Sequence, residues 1–497
     1  MIIVLTVLQI SDLHRSLDAP VSNELLLATM LSDIEKHSNQ DPKIAKCDVI
    51  VVAGDLVSGA EIGDPSAHDI LRQQYKQAKD LLTSLSSELI AGDLRRIFIV
   101  PGNHDVCWHA SKASMEKVDG VNGPDAWKLL TEPNSQYRWC WSDLSLYHIK
   151  TVDEYDQRLL DFKAFFDDFY QTIGLTFNLQ SHRQALNFVL PDGRALFSGF
   201  SSLAENDCFK LHGVISIDDL AANNLAVRRS SMNDIPLKIA FWHHGVEVIG
   251  YNEDHLNSPE VLPQLIDRGY ALGLHGHQHR SAVVSYAFSL NPKLVMPIVA
   301  SGSLCAGPFD IPTGHRRQYN VIEIDSENSR ARVHVREWFE NAIWAAARVQ
   351  EFGGKSYFDV ELPILTASIR QAKTTISVSV SEVIGKAEAA LKARQYTRVR
   401  ELLAGIPRTI PLVRKLLMEA LQEKGQWDEL IDLIGRPDDT DELALVVNAL
   451  SKKGNFDKAR QILSECSEAP EKYDRSLINN LVRRLNALEG ENKWRKE

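Results

Sequence analysis

The chain opens with MIIVLTVLQISDLH (Met1–His14), an apolar run that ends in the polar group Asp-x-His. An apolar run without strict alternation predicts a buried β-strand, and residues two apart on an extended chain point the same way. We therefore expect Asp12 and His14 to project together from the end of a first buried strand. The run lacks a basic leading region and a small-residue cleavage site, so we do not interpret it as a signal sequence.

The same pattern of a strand followed by polar residues returns four more times. The later polar residues are Asp55 after VIVVA, Asn103 and His104 after IFIV, His243 and His244 after KIAFW, and His275, His277 and His279 at the end of YALGL. Because the carboxyl ends of strands in open α/β sheets meet in one crevice, these side chains are expected to converge. Carboxylate, amide oxygen and imidazole together suit Mn²⁺, Fe or Zn²⁺ better than Mg²⁺ alone, so the sequence predicts a metal site.

The first two-thirds of the chain alternate short apolar runs with amphipathic stretches such as Asn23–His37 and Ile70–Leu89. This alternation predicts a layered α/β fold. Strands at Pro297–Ala300, Tyr319–Ile324 and Ala331–Trp338 have fewer helices between them, which favours a second sheet packed on the first. The segment from about 111 to 236 interrupts the rhythm and is expected to be an insertion.

The last part of the chain is helix-forming and repeats weakly. EALQEKGQWDELIDLI (Glu419–Ile434) matches NALSKKGNFDKARQIL (Asn448–Leu463), and AALKARQYTRVRELL (Ala389–Leu403) is a looser copy. A small residue, Gly, an aromatic residue and a second amphipathic run are typical of stacked helical hairpins, and the pattern resembles the tetratricopeptide class. We expect an α/β domain over 1–345, a linker over 346–380 and an all-α repeat domain over 381–497 that binds a protein partner or self-associates.

The net charge and the distribution of the cysteines argue against several classes of protein. The formal net charge of −11 argues against nonspecific coating of nucleic acid. The six cysteines are scattered without a CxxC pair, which argues against a zinc ribbon or a secreted disulfide scaffold. No stretch reaches the ~18 apolar residues of a membrane-spanning helix. A cytoplasmic protein with free thiols and no membrane partner is expected.

Taken in order, Asp-x-His, Gly-Asp, Gly-Asn-His-Asp, a strand-end His and Gly-His-x-His resemble the signature of the calcineurin-like metallophosphoesterases over about Met1 to Asn341. The resemblance implies a four-layer αββα sandwich that holds two divalent metal ions, with Mn²⁺ expected and Fe or Zn²⁺ as alternatives. It implies one metal on Asp12, His14, Asp55 and His279, and the other on Asp55, Asn103, His243 and His277. His104 would be the general acid, whereas His244 and His275 would either contact substrate or support the ligands.

The implied activity is hydrolysis of a phosphoester by a hydroxide that the metal pair activates. The second motif of this signature reads GDLVSG (Gly54–Gly59), with Ser58 where other branches place Tyr or His, and so departs from protein serine/threonine phosphatases, purple acid phosphatases and DNA-repair exonucleases. A cyclic nucleotide or another small phosphodiester is therefore the expected substrate. A nuclease acting on DNA or RNA is the alternative, supported by Tyr137, Trp139 and Trp141, which could stack bases. A partner-binding scaffold with a decayed site is the non-enzymatic alternative.

Overall fold

The structure is a computed structural model, and it describes a large part of the chain. The described residues are 4–121, 123–132, 135–246, 254–258, 260–287, 295–307, 310–312, 314–339, 342–348, 353–363, 383–384, 386–391, 393–404, 406, 408, 411–437, 440–467 and 475–494. The chain divides into two compact units, one within residues 1–366 and the other mainly within 367–497. Among the described residues, no helix combines the length and apolar character that crossing a bilayer requires.

The strands all lie in the first unit. They are β1 (Val4–Ile10), β2 (Val49–Ala53), β3 (Ile97–Val100), β4 (Met115–Val118), β5 (Tyr137–Cys140), β6 (Ser145–Ile149), β7 (Leu186–Val189), β8 (Ala195–Gly199), β9 (Leu237–Phe241), β10 (Leu272–His275), β11 (Ala282–Ala287), β12 (Val295–Ala300), β13 (Gln318–Asp325), β14 (Arg330–Phe339), β15 (Ile343–Ala346) and β16 (Tyr357–Glu361).

The α-helices occur in both units. Those of the first unit are α1 (Asn23–Ile34), α2 (Ala67–Ile90), α3 (Trp108–Ala113), α4 (Gly123–Thr131), α5 (Val152–Asp156), α6 (Leu160–Phe169), α7 (Ile217–Arg228) and α8 (Val261–Asp267). Those of the second unit are α9 (Tyr396–Leu403), α10 (Pro411–Glu423), α11 (Trp427–Ile434), α12 (Thr440–Lys452), α13 (Phe456–Ser467) and α14 (Arg475–Trp494).

The first sheet has the order β15-β14-β13-β1-β2-β3, with β16 also paired to β14. Strands β1, β2 and β3 are parallel, and every residue of β2 and β3 is buried. Uniformly apolar runs such as VIVVA suit parallel strands that are covered on both faces. Because Ile10 pairs with Val52 and Ala53 with Val100, the carboxyl ends of the three strands lie at the same edge.

The second sheet has the order β11-β12-β10-β9-β8-β7 and packs on the first. The Gln9 side chain in β1 donates hydrogen bonds to the carbonyl oxygens of His275 and Val299, at 3.0 and 3.1 Å. Buried residues of α1 and α2 share a core with the first sheet, and Val227 of α7 packs on Leu196 of β8. The expected four-layer αββα sandwich is therefore confirmed.

Only part of the segment expected as an insertion, about 111–236, lies outside the two main sheets. Strands β4, β6 and β5 form a separate three-stranded sheet, but β8 pairs in parallel with β9 and β7 with β8. At the other end, β16 pairs with β14 although it falls in the expected linker, 346–380. The α/β unit therefore extends beyond residue 345, at least to Glu361.

The second unit is all-α, as expected from its sequence. The helices follow one another as hairpins around a core that contains Leu421, Leu430 and Leu450. The three copies of the repeat turn at equivalent positions, where Arg394, Gly425 and Gly454 have φ of 56°, 67° and 72°.

Candidate metal centre

The predicted ligands lie on tight turns at the strand ends rather than on extended backbone. The turn residues with positive φ are Asp12 (54°), His14 (41°), Asp55 (52°), His277 (70°) and His279 (52°). A residue other than glycine rarely adopts this conformation, and each instance costs roughly 1–3 kcal/mol. From the sequence we expected Asp12 and His14, and likewise His277 and His279, to point the same way because they lie two apart on an extended strand. That reason is wrong, because the backbone turns at each of these residues.

The first group of side chains joins the loops after β1, β2 and β10. Asp12, His14, Asp55 and His279 each offer one ligand atom, and these atoms all lie within 4.8 Å of one another. The His279 Nε2 atom is 3.1 Å from Asp12 Oδ1 and 3.3 Å from His14 Nε2. The backbone N–H of His277 donates to Asp12 Oδ2 at 3.0 Å, which ties the loops of the two sheets together.

The second group shares Asp55 with the first. Its His243 Nε2 is 3.2 Å from Asp55 Oδ2, and the ligand atoms of Asp55, His243 and His277 also lie within 4.8 Å of one another. The Asn103 Oδ1 atom is 3.0 Å from His243 Nε2 and 3.0 Å from His277 Nδ1. The structure therefore brings together all seven residues expected as ligands, in two groups with one carboxylate in common.

Carbonyl oxygens orient three of the histidine rings. His243 Nδ1 donates to the Ala53 carbonyl at 2.7 Å, His279 Nδ1 to that of Asp310 at 2.6 Å, and His277 Nε2 to that of Asp254 at 2.9 Å. A carbonyl oxygen can only accept, so each ring nitrogen that faces one must carry the proton. In the neutral ring, which metal binding requires, the other nitrogen presents its lone pair to the group.

The donor set fits divalent cations. Asp12 Oδ1 is buried, and the His279 ring lies 3.1 Å from it. Burial alone would raise the pKa of Asp12, but the His279 ring holds it at about 2. Burial alone would lower the pKa of His243, but Asp55 raises it to about 10. The buried carboxylates thus demand positive charge close by, which metal ions at the two groups would supply.

His104 lies beside the shared carboxylate. Its backbone N–H donates to Asp55 Oδ1 at 2.8 Å, and its ring meets the His14 ring edge-on at 4.7 Å between centroids. His104 Nδ1 donates to the Ser58 carbonyl at 2.9 Å, so Nε2 is the nitrogen that remains for proton transfer. This geometry suits a general acid next to the metal groups.

A family model described as calcineurin-like phosphoesterase matches residues 5–281. The chain belongs to the calcineurin-like phosphoesterase family. A comparison with curated proteins finds no sequence match.

Among solved structures, the chain is similar to the purple acid phosphatase PPD1 of yellow lupin (Lupinus luteus), with 11% identity, a TM-score of 0.40, and coverage of 73% of this chain and 54% of that one. It is also similar to a single mutant of Vps29 from Entamoeba histolytica, with 9% identity, a TM-score of 0.25, and coverage of 72% and 99%. A third is phosphopantetheinyl hydrolase from Mycobacterium tuberculosis, with 10% identity, a TM-score of 0.27, and coverage of 60% and 90%. The chain thus spans about half the length of the purple acid phosphatase.

His244 and His275 are buried, with exposed fractions of 0% and 2%. His244 Nδ1 lies 2.7 Å from Ser202 Oγ, and its ring packs 4.8 Å from that of His277. His275 Nδ1 donates to the Gly276 carbonyl, and its ring stacks on Trp242. We expected these two histidines either to contact substrate or to support the ligands. Their burial favours the supporting role.

Three supporting groups of the candidate metal centre have no motif in the sequence. Asp254 lies near two histidines, since its Oδ2 is 3.3 Å from His277 Nε2 and its Oδ1 is 3.8 Å from His244 Nε2. The carbonyl oxygens of Ser58 and Asp310 act through the backbone, which any residue type could supply. Sequence spacing held no signal for these three, although Asp105 could be inferred as a loop residue from its place in GNHD.

Asp105 fixes the loop that carries Asn103 and His104. Its Oδ2 accepts the backbone N–H of Gly102 at 2.7 Å and that of Leu56 at 3.3 Å, and its Oδ1 accepts the Tyr75 hydroxyl at 3.0 Å. Burial and the charge of Asp55 raise the pKa of Asp105 to about 7.

Proposed function

We propose that the chain hydrolyses a phosphodiester, either a cyclic nucleotide or another small one, with two divalent metal ions. The observation that supports this proposal is the shared carboxylate: Asp55 belongs to both groups of ligand atoms, and it also accepts a hydrogen bond from the backbone N–H of His104. We propose as ligands the seven residues of the two groups, Asp12, His14, Asp55, Asn103, His243, His277 and His279.

Two divalent ions at these positions would polarise a phosphoryl oxygen and lower the pKa of an attacking water molecule. Asp55 would hold the two positions at a fixed separation. His104 would donate its Nε2 proton to the leaving alkoxide, since its Nδ1 is engaged by the Ser58 carbonyl. We propose Mn²⁺ as the native ion, with Fe or Zn²⁺ as ions that the same nitrogen and oxygen donors accept.

A nuclease is less well supported. Besides the aromatic cluster Tyr137, Trp139 and Trp141, the adjacent arginines Arg316 and Arg317 could contact a phosphate backbone. Arg316 lies 4.6 Å from the Phe339 ring centroid and 4.0 Å from Glu337, and Arg317 donates to the Ala306 carbonyl. Both arginines therefore have partners within the protein. Trp139 is only partly exposed, and of the aromatic cluster it is Trp141, 79% exposed, that offers a ring to a base.

A substrate panel on metal-loaded protein tests the proposal. With Mn²⁺ bound, we expect turnover of bis-p-nitrophenyl phosphate and of at least one cyclic nucleotide to exceed that of labelled single-stranded DNA. Preferential cleavage of DNA, lost in Trp141→Ala but not in the similarly exposed control Trp127→Ala, would favour the nuclease. Metal binding without turnover of any phosphoester would favour a scaffold.

We also propose a cytoplasmic location, because all six cysteines are free thiols and five of them are buried. The helical repeats are proposed to bind a protein partner or a second copy of the chain. Gel filtration of the full chain, followed by pull-down with the chain as bait, distinguishes these two roles.

A further inference from the structure

A third group of metal-ligating side chains lies in the α/β unit and shares no residue with the two groups around Asp55. His68, Cys107 and Asp161 each offer one ligand atom, and these atoms lie within 4.8 Å of one another. None of the three belongs to the proposed machinery for phosphoester hydrolysis, and no sequence motif joins them.

The three residues come from the starts of three different helices. His68 is the second residue of α2, Cys107 immediately precedes α3, and Asp161 is the second residue of α6. The Cys107 backbone N–H donates to the Arg158 carbonyl at 2.8 Å, which fixes the start of α3 against the turn before α6. His68 Nδ1 lies 2.7 Å from Asp161 Oδ2.

A pair of His68 and Asp161 accounts for part of this arrangement, but it does not account for two further features. The Cys107 side chain is fully buried at the same point. Nearby, His109 Nδ1 is buried and makes no hydrogen bond to the described residues, and its ring centroid is 6.4 Å from that of His68. Burial raises the pKa of Asp161 even though His68 lowers it, so one imidazole does not fully compensate this carboxylate.

We propose that His68, Cys107 and Asp161 bind a single Zn²⁺ ion, separate from the metal pair around Asp55. A thiolate, an imidazole and a carboxylate are all ligands of zinc, and three protein ligands leave a fourth position for water or for His109. Zinc holds such ligands at about 2.0–2.3 Å, so that ligand atoms around it lie roughly 3.3–3.8 Å apart. The His68 and Asp161 atoms, now 2.7 Å apart, would therefore separate slightly, and the Cys107 sulfur lies within 4.8 Å of both. The His68 side chain is 39% exposed and can rotate to close the set.

Binding at this site couples an ion to the loop of His104. Cys107 follows His104 by three residues, and on binding its thiol releases a proton to solvent while the sulfur bonds to the metal. The ion would cross-link the starts of α2, α3 and α6 and so restrict movement of the loop between β3 and α3. Its role is therefore structural support of the loop rather than chemistry on the substrate.

Cobalt is the probe that separates this site from the metal pair. Co²⁺ bound to a thiolate gives a charge-transfer absorption band in the near ultraviolet, and none of the seven ligands proposed around Asp55 is a cysteine. We expect chelator-treated full-length protein to develop this band on titration with Co²⁺. The band should be lost in Cys107→Ser and retained in Asp55→Asn, which weakens the metal pair.

The matched control is Cys305→Ser, because Cys305 is also fully buried and its backbone N–H donates to the Asp12 carbonyl beside the metal pair. This variant should keep the band. Absence of the band in the wild type at saturating Co²⁺, its persistence in Cys107→Ser, or its loss in Cys305→Ser alone would overturn the proposal.

A second variant keeps the test valid in case Cys107→Ser does not fold. His68→Gln changes a partly exposed side chain, and it should need at least about tenfold more Co²⁺ for half of the band, in line with the cost of weakening a metal site. A titration midpoint unchanged in both His68→Gln and Asp161→Asn would contradict the ligand set, whatever the fate of the cysteine variant.

Discussion

The α/β unit and the helical unit both turn the chain through residues of positive φ, but they place different residues at those turns. In the helical unit two of the three repeat turns have glycine, Gly425 and Gly454, which adopts this conformation without steric cost. In the α/β unit the turns after the strands place Asp12, Asp55 and His277 there. Where the chain only has to turn, glycine avoids the backbone strain. Where a side chain must also reach the metal centre, a residue other than glycine is present and the backbone strain remains.

The two regions also treat charge differently. Around Asp55, carboxylates and imidazoles are almost completely buried and depend on one another for compensation. In the helical unit the charged side chains mostly pair at the surface, as Arg400 does with Glu429, although Glu442 is buried beside Arg414, and the core is apolar. Substitutions around the metal centre should therefore cost far more than substitutions of the same kind in the repeats.

Asp55→Asn should have the largest effect. It removes charge from the one carboxylate that both ligand groups share, so both metal affinities should fall by more than the ~10–100-fold that loss of an outer partner costs. Metal content after dialysis and turnover of bis-p-nitrophenyl phosphate measure this. A variant that keeps two ions per chain would contradict the bridging role of Asp55.

His104→Ala should retain the metals and lose turnover. Removing a general acid costs about 10²–10⁴-fold on substrates with an alkoxide leaving group. The loss should be much smaller with nitrophenolate, which leaves without a proton. Rates on an alkyl and a nitrophenyl diester, with metal content measured in parallel, test this; equal losses on the two esters would exclude the acid role.

A glycine-to-alanine pair tests the comparison of the two kinds of turn. Gly54 has φ of 89°, and an added Cβ would lie 2.5 Å from His243 Nδ1; Gly425 has φ of 67° and no atom nearer than 3.7 Å to an added Cβ. Gly54→Ala should cost roughly 2–5 kcal/mol from strain and overpacking, and Gly425→Ala about 1–2 kcal/mol from strain alone.

Hydrogen exchange resolves the free energy of opening in each unit separately and so measures both variants. Gly54→Ala should also reduce metal binding through displacement of His243, whereas Gly425→Ala should not. Equal costs in the two units would mean that contact with His243 adds nothing to the strain of the turn.

The positions of the candidate ligands could be predicted from the sequence because each follows an apolar run that is recognisable as a strand. Asp55 and Asn103 are examples: VIVVA and IFIV form the neighbouring strands β2 and β3, and parallel pairing puts their ends together. The family resemblance then divided the ligands into two groups, and the ligand atoms do lie close together in those groups.

What could not be predicted depends on contacts between distant residues. The roles of Asp254 and of the Asp310 carbonyl arise only when loops fold back on the β10 turn. Strand β8 is short and lies in a segment of mixed character, so the sequence alone does not predict that it pairs with β9. His68, Cys107 and Asp161 are each unremarkable in sequence, and only the packing of three helix starts brings them together.

The smallest effect is expected at the surface of the helical unit. Arg400 and Glu429 are 36% and 49% exposed, and solvent screens such pairs, so Arg400→Ala should cost no more than about 0.2–1 kcal/mol.

Arg414 provides the matched control, because it makes two hydrogen bonds to the carboxylate of Glu442, which is 8% exposed, and another to the Ile434 carbonyl. Arg414→Ala should therefore cost about 1.5–3 kcal/mol, as expected for charged hydrogen bonds out of solvent. Local exchange of α9 to α12 in both variants measures the difference, and a cost at Arg400 equal to that at Arg414 would show that these repeats, like the metal centre, depend on specific charge pairing.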